Sequence, residues 1–439
     1  MNSIENYRLD CNKKLIFNFD GGSITTDAGL ILIKEFFEKI GLIEMIRENL
    51  NVEEDYKPRK FHKSYELVIQ KICQCIAGYD TDQDCNDLRK DIMFTKILDK
   101  DVLASQPTMC RFINNVKDEN VKQMDNINLL LIDKADSIEI PDYKILDLDS
   151  TNLSTYGHQE GSNFNYHYQA VGYHPLVMFD GMTGDLLKIE LRNGNCYTSA
   201  NVVDFIKPYL EYQDSNHPSM LRIIRGDSGF AVPGLYEIAE IEGDLYAIRL
   251  KANSNLYKNA KYFESELLEE WKDSLLEYKC SYNEFEYKAE KWDKPRRVVV
   301  KMEKPANKMT IDYTFVVTNM KASPKEVINF YCKRGAMENF IKECKNGFNF
   351  ESMSHSSFVA NSFKLQILTL AYNLVNLFKR LCISGKFKKF TIETLRGKLI
   401  KVAAKIVKSS RYQIFKICSN FPYKEVFLNT LKRIQALRI

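Results

Sequence analysis

Lys144-Ile145-Leu146-Asp147-Leu148-Asp149 decides the fold. Apolar and acidic residues alternate along it in the period of a strand, and Asp147 and Asp149, two positions apart, share one face. The same texture continues downstream. Tyr166–Phe179 and Leu186–Leu191 read as two further strands about an Asp180-Gly181 turn signal, and Ala200–Tyr212 reads as a helix. Leu221-Arg222-Ile223-Ile224-Arg225 is a short buried strand that runs into Gly226-Asp227-Ser228-Gly229. A helix near Pro233–Ile241 and a strand at Leu245–Leu250 follow.

Three strands, a helix, a strand, a helix and a strand form the order of an RNase H-like α/β domain. The expected architecture is that catalytic domain over 141–250 and 326–380, interrupted by a strand-rich insertion over 251–325. Strand-like pieces at Arg296–Met302 and Tyr313–Val317 mark the insertion. A helical domain over 1–140, suited to contact DNA, precedes it, with Thr26 and Asp27 read as the cap of its first long helix. A basic helical region over 381–439 follows. Pro324–Lys345 and Ser362–Leu381 read as long helices.

The chain has 439 residues, 45% hydrophobic and 27% charged, a globular composition that excludes wholesale disorder. Met1–Asn18 mixes charges with scattered hydrophobics and lacks the plan of a secretory signal. The best apolar run, Leu365–Phe378, carries Asn373 and Asn376 and is too short to span a bilayer. The expectation is a soluble cytoplasmic protein with no membrane partner. Eleven cysteines lack zinc-knuckle or disulfide-framework spacing and read as incidental thiols.

The net charge of +4 is unevenly placed. Lys386–Ile439 holds 14 basic residues against Glu393 and Glu425, so the preceding chain is acidic. Such a tail seeks a polyanion or the acidic body itself. At 100° per residue Lys398, Lys401, Lys405 and Lys408 fall on one arc of an amphipathic helix, opposite an apolar face, which makes them candidate DNA contacts.

Strand ends of α/β sheets are where ligands gather. Asp149, with Asp147 as the alternate, closes the first strand, and Asp227 lies just past the fourth in a Gly-flanked turn. Two such carboxylates and a third from a packed helix suit a pair of Mg²⁺ or Mn²⁺ ions serving phosphoryl transfer. On an uninterrupted helix Tyr331, Arg334, Glu338 and Lys345 form one stripe, with Glu343 pointing elsewhere, so Glu338 is the preferred third carboxylate.

Tyr331-x2-Arg334-x3-Glu338-x6-Lys345 resembles the YREK signature of bacterial insertion-sequence transposases of the DDE type. Asp147-Leu148-Asp149-Ser150-Thr151, Gly172-Tyr173-His174-Pro175-Leu176 and Arg225-Gly226-Asp227-Ser228-Gly229-Phe230 look like one subgroup of them. The resemblance covers nearly the whole chain. It implies a catalytic triad of Asp149, Asp227 and Glu338 holding two Mg²⁺ ions, and cleavage of transposon ends followed by attack of the freed 3′-hydroxyl on target DNA. It further implies contacts from Tyr331, Arg334 and Lys345 to end DNA, and a homodimer in the synaptic complex. By analogy with related insertions, Trp292 would stack on a flipped base. A catalytically silent DNA-binding derivative and an RNase H-fold nuclease without strand transfer are the competing readings.

Overall fold

The computed structural model describes residues 6–53, 61–271, 277–306, 308 and 310–438. Residues 272–276, 307 and 309 of the expected insertion lie outside that set. The chain divides into two compact units: residues 1–139, 343–350 and 363–439 in one, 140–342 and 351–362 in the other. No helix among the described residues is long and apolar enough to cross a membrane.

The second unit is mixed α/β, built on one eight-stranded mixed sheet. Its strands are β1 (Tyr143–Ser150), β2 (Leu176–Asp180), β3 (Leu186–Glu190), β4 (Leu221–Gly226), β5 (Leu245–Leu250), β6 (Lys279–Tyr287), β7 (Arg296–Lys304) and β8 (Asp312–Thr318), in the order β6-β7-β8-β5-β4-β1-β2-β3. β1, β4 and β5 run parallel, and β2 is antiparallel to β1. Helices α1 (Val202–Asn216) and α2 (Pro233–Glu242) connect β3 to β4 and β4 to β5, as parallel strands require. The central strands read Lys-Ile-Leu-Asp-Leu and Arg-Ile-Ile-Arg and are buried almost throughout, because strands flanked on both sides bury both faces.

The segment expected as an insertion supplies β6, β7 and β8. β8 pairs antiparallel with β5, so these strands extend the same sheet. The stretch read as one strand over Tyr166–Phe179 is two, Ala170–Tyr173 and Leu176–Asp180, broken at His174-Pro175. Pro175 has no backbone N–H to offer a ladder, and Ala170–Tyr173 instead joins a small sheet with Leu153–Ser154 and Asn163–Asn165.

The helix expected over Pro324–Lys345 is interrupted. An α-helix, α3 (Pro324–Cys332), gives way to a 3₁₀ turn at Lys333–Ala336, then to α4 (Met337–Lys342) and a π turn at Glu343–Gly347. A 3₁₀ turn advances about 120° per residue instead of about 100°, so four residues rotate everything beyond them by about 80°.

The first unit is largely helical, with helices at Leu30–Ile40, Leu42–Asn49, Ser64–Ala77, Gln106–Asn114 and Asp118–Ile138. Gly29, not Thr26 or Asp27, sits at the start of Leu30–Ile40. In the same unit Arg396 donates to the carbonyls of Cys75 and Ile76 at 2.5 and 2.8 Å, satisfying the end of Ser64–Ala77.

The basic region departs from the expected amphipathic helix through Lys398–Lys408. Ala404–Lys408 and Gln413–Ile417 form an antiparallel hairpin that also pairs with Ile24–Thr25, and only Lys424–Ala436 is a helix of any length. β-branched Ile406 and Val407 favour the pleated surface. The alternation Ala404 buried, Lys405 exposed, Ile406 buried has a strand's period of two.

Candidate active site

β1 and β4 are hydrogen-bonded in parallel register, Arg225 opposite Asp147 and Gly226 opposite Leu148. One step further along, the same register sets Asp227 opposite Asp149. The two carboxylates therefore leave adjacent strand ends on one face of the sheet. Gly226 ends the strand, and Asp227 caps the following 3₁₀ turn, its Oδ1 accepting from Gly229 N at 2.8 Å. Asp227 is half-buried, open on one side of that turn.

Asp149 accepts a hydrogen bond from Ser150 N at 2.8 Å and one from Arg334 Nη2 at 2.7 Å. Burial pushes its carboxyl up to about 6, against the opposing pull of the Arg334 guanidinium and with a further upward push from Asp227 and Asp147. Arg334 is mostly buried between these charges, and its own pKa is raised by Asp149 and Asp227 against a desolvation cost. Its Nε has no hydrogen-bond partner among the described residues. The site thus holds two carboxylates and one guanidinium that is only partly satisfied, which is the charge balance of a pocket for phosphate and cation together.

Asp147 differs from its neighbour two positions on. It is buried, and the Arg225 fork takes both its oxygens, Nε to Oδ1 at 2.5 Å and Nη2 to Oδ2 at 2.6 Å. Arg225 also donates Nη1 to the carbonyl of Phe330 at 2.7 Å. The residue order carries a signal for this: Arg225 lies two before Asp227 and hence on its face. By periodicity alone Arg225 reads only as part of the strand.

Glu338 does not join the two aspartates. It is exposed on the first turn of α4, displaced by the 3₁₀ turn that precedes it. Among the described residues no three His, Cys, Asp or Glu side chains come close enough to share a metal ion. Two carboxylates at adjacent strand ends fit a hard divalent cation in donor chemistry, and the third donor is not brought to them. Glu343 is committed elsewhere, accepting from Ile392 N at 2.6 Å within the first unit.

The other expected contacts divide. Tyr331 packs its ring among Ala247, Val299, Val316, Val327 and Ile328; burial raises its pKa, and it also feels the charges of Arg334 and Asp227. Lys345 falls in the π turn and belongs to the first unit. Trp292 is buried, edge-on to Tyr236 and Tyr287 and beneath Arg296, which is side-chain packing with no open face for a base.

The four lysines do not share a helical face. Lys398 donates to the Tyr423 hydroxyl at 2.6 Å, and Lys401 pairs with buried Asp27 at 2.8 Å and lies over the Tyr79 ring. Lys405 and Lys408 are exposed on the hairpin, where Lys405 stands opposite Lys416.

Two features beside Asp149 follow from no spacing rule, although His174 lies in the Gly172–Leu176 stretch that carries the resemblance. Tyr168 donates its hydroxyl to the carbonyl of Ser150 at 3.2 Å, and His174 Nε2 meets Ser150 Oγ at 2.9 Å. Burial lowers the His174 pKa, which keeps the ring neutral for that contact. Around them Tyr156 and Tyr166 project into solvent. No spacing rule connects residues brought together by a small three-stranded sheet.

A family model described as the transposase DDE domain, group 1, matches residues 7–439. No curated protein matches the chain. Among solved structures, the cryo-EM structure of the piggyBac transposase synaptic complex with hairpin DNA aligns at a TM-score of 0.42 and 14% identity, over 86% of this chain and 80% of that one.

Proposed function

Because this chain belongs to the group 1 DDE transposase family, matched over residues 7–439, we propose that it cuts and joins the ends of a bacterial insertion sequence by metal-dependent phosphoryl transfer on an RNase H-like fold. The observation that carries this reading is the pairing of Asp149 and Asp227 at the ends of two adjacent parallel strands, facing Arg334. The strand order β3-β2-β1-β4-β5 with β2 reversed agrees with the RNase H-like arrangement.

Asp149 and Asp227 would hold two Mg²⁺ or Mn²⁺ ions, with Glu338 brought in as third ligand from its exposed place on α4 when the ions bind. Bound there, the ions supply Lewis-acid stabilisation of the attacking and leaving oxygens and a water of lowered pKa. Everything else falls to the protein. Asp149, with a carboxyl near 6, is mostly ionised at neutral pH and so presents charge to a cation. Arg334 exchanges Asp149 for a phosphate oxygen of the incoming strand, its planar fork suiting that geometry. The same carboxylates serve cleavage and strand transfer, since each is an in-line displacement at phosphorus.

Lys405, Lys408 and Lys416 on the hairpin provide the backbone contact to double-stranded DNA. Two lysines directly opposite one another repel, and a bound polyanion relieves that repulsion. Two ends are held by a homodimer in the synaptic complex, acting in the cytoplasm.

The test is cleavage of a duplex carrying the terminal repeat of the encoding element, with Mg²⁺, by the intact chain and by Asp149→Asn. Cleavage by the first and not the second is expected. Equal cleavage would remove Asp149 from the chemistry, and strand nicking with no joined product would leave a nuclease.

A further inference from the structure

Asp147 and Arg225 are each 1% exposed at the side chain and are paired through both carboxylate oxygens. They are register partners on β1 and β4. Asp149 and Asp227 stand on the same face two residues on, about 6–7 Å further along the strands. The ion pair therefore forms the floor on which the two candidate ligands stand.

Arg225 reaches a third element as well. Nη1 donates to the carbonyl of Phe330, and the guanidinium lies 5.0 Å from the centroid of the Phe330 ring. Phe330 is on α3, the helix that runs directly into the turn bearing Arg334. One planar group thus uses Nε, Nη1 and Nη2 to join two strands and a helix. The fit leaves no slack: a Cβ on Gly181, in the β2–β3 turn, would lie 2.5 Å from Asp147 Oδ2 and 2.7 Å from Arg225 Nη2.

We propose that Arg225, through its clamp on Asp147, is the positioning residue of the site. It fixes the spacing of Asp149, Asp227 and Arg334, and it withholds Asp147 from the cation. This rests on the functional reading above and goes beyond it. A burial-driven ion pair alone is a poor reason for such an arrangement, because a buried pair is often replaceable by apolar residues at no loss of stability. What apolar residues cannot reproduce is the three-way donor geometry. Without it Asp147 becomes a free carboxylate directly below Asp149, competing for whatever cation arrives and adding like charge beneath it.

The experiment measures Mn²⁺ affinity, from the electron paramagnetic resonance of the free ion, on the full chain without DNA, alongside thermal melts. Four proteins are compared: the natural chain, Asp149→Asn/Asp227→Asn, Arg225→Met/Asp147→Leu and Arg225→Lys. The natural chain should bind Mn²⁺ and Asp149→Asn/Asp227→Asn should not. Arg225→Met/Asp147→Leu should melt within a few degrees of the natural chain yet bind Mn²⁺ at least ~10-fold more weakly, the scale on which outer-shell partners act.

If that double variant melts normally and binds Mn²⁺ within twofold, the positioning role is overturned. If it does not fold, Arg225→Lys decides. A lysine keeps the charge without the fork, so weakened Mn²⁺ binding in a folded protein supports the role, and unchanged binding overturns it. Equal Mn²⁺ binding by the natural chain and Asp149→Asn/Asp227→Asn would instead overturn the metal assignment of the functional reading, a separate result from failure of the clamp.

Discussion

The strand ends at Asp149 and Asp227 and the helical segment from Tyr331 to Lys345 carry equally regular spacings, and they end differently. On the strands a two-residue step means the same face, and the ladder between β1 and β4 holds each residue to its partner. On the helix a spacing means a direction only while the turn type is constant, and here a 3₁₀ turn and a π turn intervene. Lys398 to Lys408 repeat the lesson, since an apparent helical arc is a hairpin and two internal pairs. Periodicity survives where neighbouring strands enforce it.

The sharpest test of the strand side is Asp227→Asn. It keeps the cap on Gly229 and removes the charge, so cleavage of an end duplex should fall at least ~10³-fold, the scale of losing several kcal/mol of charge stabilisation. A gel shift on the same duplex should be unchanged or slightly tighter. A variant that cleaves normally would place the site elsewhere and break the comparison.

Lys401 probes the helical side. If it pairs inward, Lys401→Met leaves buried Asp27 without its cation and should cost about 1–3 kcal/mol in chemical denaturation. Its DNA binding at a temperature well below the melt should be near normal. Weakened binding without lost stability would restore the basic helical face.

Asp149→Asn should stabilise the metal-free chain by about 1–3 kcal/mol at pH 7. Its folded carboxyl sits near 6 against about 3.9 unfolded, so ionisation favours the unfolded state and its cost grows as pH rises through that window. Lost pairing with Arg334 offsets part of the gain. The advantage of the Asn variant should shrink as pH falls from 6 towards 4, and melts across that range read it directly. An advantage independent of pH would mean that burial does not raise this carboxyl.

The smallest effect belongs to the hairpin. Lys405→Gln/Lys408→Gln should flatten the slope of log affinity against log salt by up to about 2, one for each phosphate that a lysine here neutralises. An unchanged slope would make these lysines ordinary solvated charges.

The mixed sheet and the pairing of Asp149 with Asp227 were legible because alternation and the Asp180-Gly181 and Gly226–Gly229 turns are local signals. The interruption after α3 was not: nothing in Lys333-Arg334-Gly335-Ala336 forbids an α-helix, and only Gly335 weakens one. That rotation leaves Glu338 exposed and ungrouped with Asp149 and Asp227. Trp292 and Tyr331 look like surface readers in a charged stretch, yet large aromatics contribute more to stability when buried. The role of Arg225 needs the register of β1 against β4, a pairing across 78 residues that no single window contains.

The extension of the sheet by β6, β7 and β8 bears on how this chain can be shortened. β5 reads Leu245-Tyr246-Ala247-Ile248-Arg249-Leu250, and β8 covers its outer row of amides and carbonyls. A chain engineered to end after Leu250 would bare an apolar edge, a template for a second molecule to add a strand. The natural outer strand is guarded, since β6 carries Lys279, Glu284 and Glu286 along the exposed margin. Removing residues 251–318 as a detachable module would exchange a charged border for a sticky one, and the expected product is aggregate.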